Sequence, residues 1–193
     1  MKHGGDKLTE QEDIVVDVLP RESEIPRVIA MNSVLSLSDH AAVSILAMRR
    51  HSTGLMFEVD IRWRRDKTSK YVPFELRDQL LTHLLPTESE PPEGAFEFRA
   101  ELDGFEVLPT GPEVQKSGSC LHLYKSDGNA SSFRLEYWLS PLPRMTLKVG
   151  FLWPRQGSRG SLDLDVGLIT ASRAKMICLW QPDETGMHGY RGY

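Results

Sequence analysis

The sequence predicts a mainly β protein, and its pattern favours an antiparallel β-sandwich of about 7–8 strands with two short helices. Two observations indicate this class: apolar and polar residues alternate along several segments, and turn-forming residues separate those segments. The clearest segment runs from Leu55 to Arg64 and holds five apolar side chains on one parity: Leu55, Phe57, Val59, Ile61 and Trp63. Because neighbouring side chains of a strand point to opposite faces, this strand has one face to bury. Two sheets packed face to face bury several such faces at once.

Three consecutive strands are predicted at the start of this pattern. Arg27–Leu37, Ala42–Arg50 and Leu55–Arg64 each alternate, and turn residues at 38–40 and 51–54 separate them. In the first of these strands the face predicted to be buried carries Ile29, Met31, Leu35 and Leu37. Short connections of this kind join antiparallel neighbours, so the three strands are expected to form a meander.

The alternation resumes after a proline- and glutamate-rich stretch at 87–94. Phe96–Leu102 and Phe105–Leu108 flank Asp103-Gly104, a pair that favours a type I′ hairpin turn because both positions need a positive φ. Three further strands are predicted over 121–123, 133–139 and 145–151.

Two segments have the spacing of helices instead. Leu76, Leu80 and Leu84 recur every fourth residue, which predicts a helix over 74–85 that ends at Pro86. After a glycine-rich loop at 157–160, either Asp163 or Asp165 is expected to cap a second helix that runs to about residue 177.

The chain is predicted to divide into an acidic N-terminal arm over 1–25, a single sandwich domain over 26–180 and a flexible tail over 181–193. The arm has an apolar patch at 14–18, which is expected to add an edge strand or else to leave the arm mobile. No apolar run approaches the roughly 20 residues that span a bilayer, and no secretory signal is evident. The two cysteines, Cys120 and Cys178, have no metal-ligand spacing, so free thiols in the cytoplasm are expected.

The usual catalytic motifs are missing from the sequence. We find no phosphate-binding glycine loop, no HExxH and no GxSxG, and the six histidines are scattered along the chain. Asp163 and Asp165 resemble a DxD metal motif, but a helix cap explains them more simply. The sequence therefore predicts no catalytic, cofactor-binding or metal-binding residue.

Carboxylates on the outward parity of the strands are interleaved with arginines. Cross-strand ion pairs on a solvated face account for this arrangement without catalysis. The alternative is a hydrolase that uses these carboxylates together with His122. The carboxylates concerned are Glu58, Asp60, Glu97, Glu101 and Glu136.

Four residues are candidates for partner binding: Arg62, Arg64, Arg65 and Trp138. The three arginines belong to a basic run over 62–70, which weakly suggests a nucleic-acid site, although the acidic arm of the same chain is a further candidate to pair with it. In the alternating pattern Trp63 falls among the residues predicted to be buried, whereas Trp138 falls among those predicted to point outward. Trp138 is therefore expected either to be covered by a helix or to contact a partner.

Aromatic and proline motifs recur in the second half of the chain. They are the run from Tyr137 and Trp138 to Pro141 and Pro143, then Trp153-Pro154, then Ala174, then Leu179-Trp180, together with the Asp103-Gly104 hairpin. In these motifs the chain resembles a family of β-rich actinobacterial proteins over about residues 27–180, departing from it at Ser140, where that pattern often has a second tryptophan. The family has no assigned activity, so the resemblance implies a fold and a bacterial cytoplasmic origin only.

A formal net charge of −4 gives no general reason to expect nucleic acid or an anionic membrane as partner. From sequence we expect a non-catalytic module that binds a protein partner or a second copy of itself, with no cofactor. The alternatives are the hydrolase and a weak nucleic-acid binder.

Overall fold

The computed structural model describes residues 19–64, 94–109, 118–129, 131–171 and 177–179. Strands hold 64% of these residues, in three antiparallel sheets, and the same part of the chain contains one α-helix. The prediction of a mainly β, antiparallel protein is confirmed. Among the described residues no helix has the length and apolar character needed to cross a bilayer.

The largest sheet has five strands in the order β2-β3-β4-β8-β7. Its first three strands are consecutive in the chain and antiparallel, so the predicted meander is confirmed. Their inner side chains include Val43, Ile45, Phe57 and Val59, each at most 1% exposed. The five strands are β2 (Arg27–Leu37), β3 (Ala41–Arg50), β4 (Leu55–Trp63), β7 (Cys120–Asn129) and β8 (Ser132–Ser140).

A second sheet has four strands in the order β10-β9-β5-β6. The hairpin of β5 and β6 turns at Asp103 and Gly104, whose φ angles of 52° and 87° are both positive, as predicted for this pair. The strands are β5 (Glu97–Leu102), β6 (Phe105–Val107), β9 (Leu147–Trp153) and β10 (Ser158–Leu164).

The segment after β9 differs from its prediction. Residues 158–164, expected to be a loop followed by a capping aspartate, form β10 and pair with β9 along their whole length. Asp163 is therefore a strand residue, and the cap is Asp165, whose Oδ1 accepts the N–H of Gly167 at 2.7 Å. The helix α1 (Val166–Ala171) follows. The other predicted helix, over 74–85, lies outside the described residues.

A continuous core joins the two large sheets. The ring of Phe98, on β5, lies 5.9 Å from that of Phe57 on β4 and 4.6 Å from that of Tyr137 on β8. Phe96 and Phe151 stack at 5.4 Å within the four-stranded side of the same core. Aromatic side chains from the two large sheets thus belong to one buried cluster.

The edges of the two sheets also meet where β2 approaches β10. Ser36 Oγ lies 3.0 Å from Ser158 Oγ, and the carbonyl of Leu35 faces Gly160 so closely that an added Cβ would lie 2.2 Å from its oxygen. Only glycine admits this approach.

Two β-bulges interrupt β2. The pairing with β3 shifts between Ala30 and Ser33 and again between Val34 and Ser36. The second shift reverses the parity, so Leu37 points outward and is 78% exposed. Its predicted place on the buried face is wrong.

A small third sheet pairs β1 (Glu24–Ile25) with β11 (Ile177–Cys178). β1 belongs to the segment predicted to be an N-terminal arm. The rest of that arm up to residue 18, and the predicted tail over 181–193, lie outside the described residues.

Candidate functional site

Trp138 lies on the outer face of the five-stranded sheet, as its parity predicted, but it is fully buried. In one cross-strand row it lies between Met56 on β4 and His122 on β7. The ring of His51 meets it edge-on at 5.4 Å, and a Cβ added to Gly54 would lie 2.5 Å from the indole. The described residues that pack on it include His51 and Gly54, in the loop between β3 and β4; the helix predicted over 74–85 lies outside the described residues. A side chain in this position has no exposed surface to offer a partner.

Polar side chains surround Trp138. Glu24 of β1 accepts hydrogen bonds from the N–H of Ser52, at 2.9 Å, and from the Ser52 hydroxyl, and its Oε2 lies 4.0 Å from His51 Nδ1. These contacts fix β1 to the loop that covers the tryptophan. On the other side, Cys120 Sγ lies 3.4 Å from His122 Nδ1.

Burial determines the protonation of this cluster. It lowers the pKa of His51, an effect that Glu24 opposes and Arg49 reinforces, and it also lowers the pKa of His122. Burial raises the pKa of the Cys120 thiol. A thiolate–imidazolium pair would need both shifts in the opposite direction. The described residues include no group of three or more potential ligands placed to hold a metal.

Four of the five outward carboxylates, all except Glu101, form ion pairs in the described part of the chain. Arg134 Nε lies 3.0 Å from Glu58, and Arg49 Nη2 lies 2.7 Å from Glu136. On the other large sheet Arg99 pairs with both Glu97 and Glu106. No ion pair joins His122 to a carboxylate within the described ranges. Ion pairs of this kind account for these carboxylates without a catalytic role.

The predicted arginine candidates lie at the end of β4. Arg62 is exposed, and its Nε lies 2.5 Å from Oδ2 of the buried Asp60. Arg64 is exposed as well, and its N–H donates to the carbonyl of His40 in the turn between β2 and β3. Arg65 lies outside the described residues.

Trp63 also behaves as its parity predicted. It is half-buried, it packs against the core, and its ring lies 5.6 Å from that of Phe133.

An exposed apolar surface on β2 was missed at the sequence level. Val28, Val34 and Leu37 are 62%, 64% and 78% exposed, and Ala30 between them is exposed too. We call these four outward-facing residues the β2 stripe. The signal was present in the sequence: β2 is apolar on both parities, whereas β4 and β5 alternate with charged residues.

The β2 stripe has small residues beside it on β3 and arginines near both of its ends. Arg49, which pairs with Glu136, lies opposite Val28, and we call the Leu37 end, where Arg62 and Arg64 lie, the basic end. On β3 its neighbours include Ala42 and Ala47, which leave the stripe standing above the adjoining surface. Leu37 pairs with Ala42, which in turn pairs with Arg62. The two exposed guanidinium groups, of Arg62 and Arg64, therefore lie at the Leu37 end of the stripe.

No protein-family model, curated protein or solved structure matches this chain.

Proposed function

We propose that this chain is a non-catalytic β-sandwich module that binds another protein chain through the β2 stripe. The observation that carries the proposal is the exposure of Val28, Val34 and Leu37 on one face of one strand. Apolar residues scattered singly over a surface need no explanation. Here four apolar residues share one face of one strand, with the exposed Asn32 between Ala30 and Val34, and such clustering is typical of an interaction site.

The sandwich arrangement is part of the proposal. The contacts of Phe98 with Phe57 and Tyr137 support it, because they join the inner faces of the two large sheets. The approach of β2 to β10 supports it too, since it closes one side between the layers. In such an arrangement the β2 stripe lies on an outer face and takes no part in the core.

The basic end of the stripe indicates what the partner carries. Arg62 already has Asp60 as a counter-ion, whereas the structure describes no acidic partner for the Arg64 side chain. A protein segment with carboxylates next to apolar side chains complements both parts of this surface. Nucleic acid would match the arginines but would leave Val28, Val34 and Leu37 in contact with phosphates and water.

A binding role also fits the outward carboxylates better than the hydrolase alternative. Glu58 and Glu136 are held in ion pairs, and the buried Cys120 and His122 are both kept neutral by desolvation. We propose a cytoplasmic location for the module, because Cys120 and Cys178 are not joined in a disulfide.

Photo-cross-linking in the source cells tests the proposal. A benzophenone amino acid at position 34 samples the stripe, and one at Ser161, an exposed residue on the outer face of the other large sheet, is the matched control. We expect a protein adduct from position 34 that is absent from position 161 and that Arg64→Glu weakens. Equal adducts from the two positions, or adducts that ignore the charge reversal, would refute the proposal.

A further inference from the structure

We infer that residues 10–18 of this chain are themselves a ligand of the β2 stripe, so that the chain binds its own N-terminal segment. The inference rests on the proposed function, because it keeps the β2 stripe as a protein-binding surface. It names residues 10–18, from the same chain or from a second copy, as an occupant that competes there with any other protein. The argument has three parts: the chemistry of the segment, its length, and its point of attachment.

The segment has the chemistry that the stripe requires. Residues 9–18 contain four carboxylates and no lysine or arginine, and they end in a β-branched cluster. In an extended conformation alternate residues share one side. One side of such an extended segment carries two carboxylates followed by three β-branched side chains: Glu10, Glu12, Ile14, Val16 and Val18.

The stripe presents the complementary order. From its basic end it runs from Arg64 and Arg62 to Leu37, then to Val34 and Val28. A segment that lies antiparallel to β2 therefore brings its carboxylates over the arginines and its β-branched side chains over the apolar residues. An apolar side chain that covers another removes both from water. Arg64 fixes the direction, because Arg49, opposite Val28, and Arg62 already have carboxylate partners.

The lengths match as well. Residues 10 and 18 are eight steps apart, about 26 Å in an extended chain, and the nine steps from Val28 to Leu37 along β2 span about 30 Å. The described chain that follows the segment also lies near the Val28 end of the stripe. Glu24 bonds to Ser52, in the loop that follows β3, and Val28 pairs with Arg49 near the same end of β3.

Disulfide trapping in the full chain tests this arrangement. The exposed thiol is first removed by Cys178→Ser, and Val16→Cys is then combined with Val34→Cys on the stripe. The matched control combines Val16→Cys with Ser161→Cys. We expect the stripe pair to oxidise about tenfold faster or more, because a docked segment raises the effective concentration of one thiol near the other.

The mass of the cross-linked product shows whether the bound segment belongs to the same chain or to a second copy. A cross-linked monomer indicates that the segment folds back on its own chain, and a cross-linked dimer indicates exchange between two copies. Either product supports the inference. Equal rates for the stripe pair and the control pair would overturn it.

A second measurement avoids introduced cysteines. Arg64→Lys preserves the charge and places an amine at the basic end, so a carbodiimide can join it to Glu10 or Glu12. Ser161→Lys is the control, and we expect the mapped cross-link only in the first variant. If both trapping and coupling fail while position 34 still yields a charge-dependent protein adduct, the inference falls and the proposed function stands.

Discussion

Replacing Trp138 by alanine tests whether this residue stabilises the fold or binds a partner. The indole is 0% exposed and touches His51 and Gly54 on one side of the sheet. Replacing a buried tryptophan by alanine removes its transfer free energy and leaves a cavity, which typically costs about 3–5 kcal/mol. Because a domain of ordinary size has a net stability of about 5–15 kcal/mol, Trp138→Ala is expected to lose a large part of the free energy of unfolding.

The assay is urea unfolding followed by far-ultraviolet circular dichroism. With a slope of about 2 kcal/mol per molar urea, the expected loss lowers the midpoint by about 1.5–2.5 M. Phe105→Ala is the matched control, since this aromatic side chain is 68% exposed, and its midpoint is expected to fall by less than about 0.5 M. Equal midpoints for Trp138→Ala and Phe105→Ala would refute the assignment of Trp138 to a buried cluster.

Three further changes test other contacts by the same unfolding assay. Gly160→Ala forces a Cβ to within 2.2 Å of the Leu35 carbonyl oxygen, and we expect a loss of about 2 kcal/mol or more; an unchanged midpoint would contradict the close approach of β2 and β10. Asp103→Asn keeps a residue that tolerates a positive φ but weakens the hydrogen bonds from three backbone N–H groups, so about 1–2 kcal/mol is expected, and no loss would mean that these bonds contribute little. The pKa values of His51 and His122 are lowered by burial, so below about pH 6.5 the unfolded chain binds more protons than the folded chain and stability falls. A midpoint that stays constant between pH 7.5 and 5, or that falls equally in a variant carrying His51→Gln and His122→Gln, would contradict this account.

The sequence predicted those parts of the fold that depend on neighbouring residues. The alternation from Leu55 to Trp63 identified β4 and its buried face, and Asp103-Gly104 identified a hairpin turn by its φ requirement alone. Both features follow from the backbone period and from local conformational preference. Nothing beyond the segment itself is needed to recognise them.

The predictions were wrong where the local structure depends on pairing with a strand that is distant in the sequence. β10 has only two apolar residues, Leu162 and Leu164, and it forms because β9 supplies its hydrogen-bond partners and Gly160 admits the Leu35 carbonyl. Leu37 was placed on the wrong face because a bulge depends on the pairing of two strands, which a single-strand pattern does not contain.

The candidate site shows the same division. Parity placed Trp138 on the correct face, but its burial depends on the loop that contains His51 and Gly54. The β2 stripe, in contrast, was visible in the sequence as a strand that is apolar on both parities. The stripe was not predicted, because one buried apolar face is sufficient to predict a strand. The apolar residues on the opposite face add nothing to that prediction.

That second face is the strongest reason to look for a partner. Val34 and Leu37 are mostly exposed, so folding gains little from their apolar surface. Threonine would give β2 the same β-branched shape at position 34 and would leave a polar surface in its place. The edge of β2 is protected by β10 in any case, so these side chains are not needed to prevent strand pairing there. Because these side chains neither fill the core nor protect an edge, they support the proposal that the β2 stripe binds another protein chain.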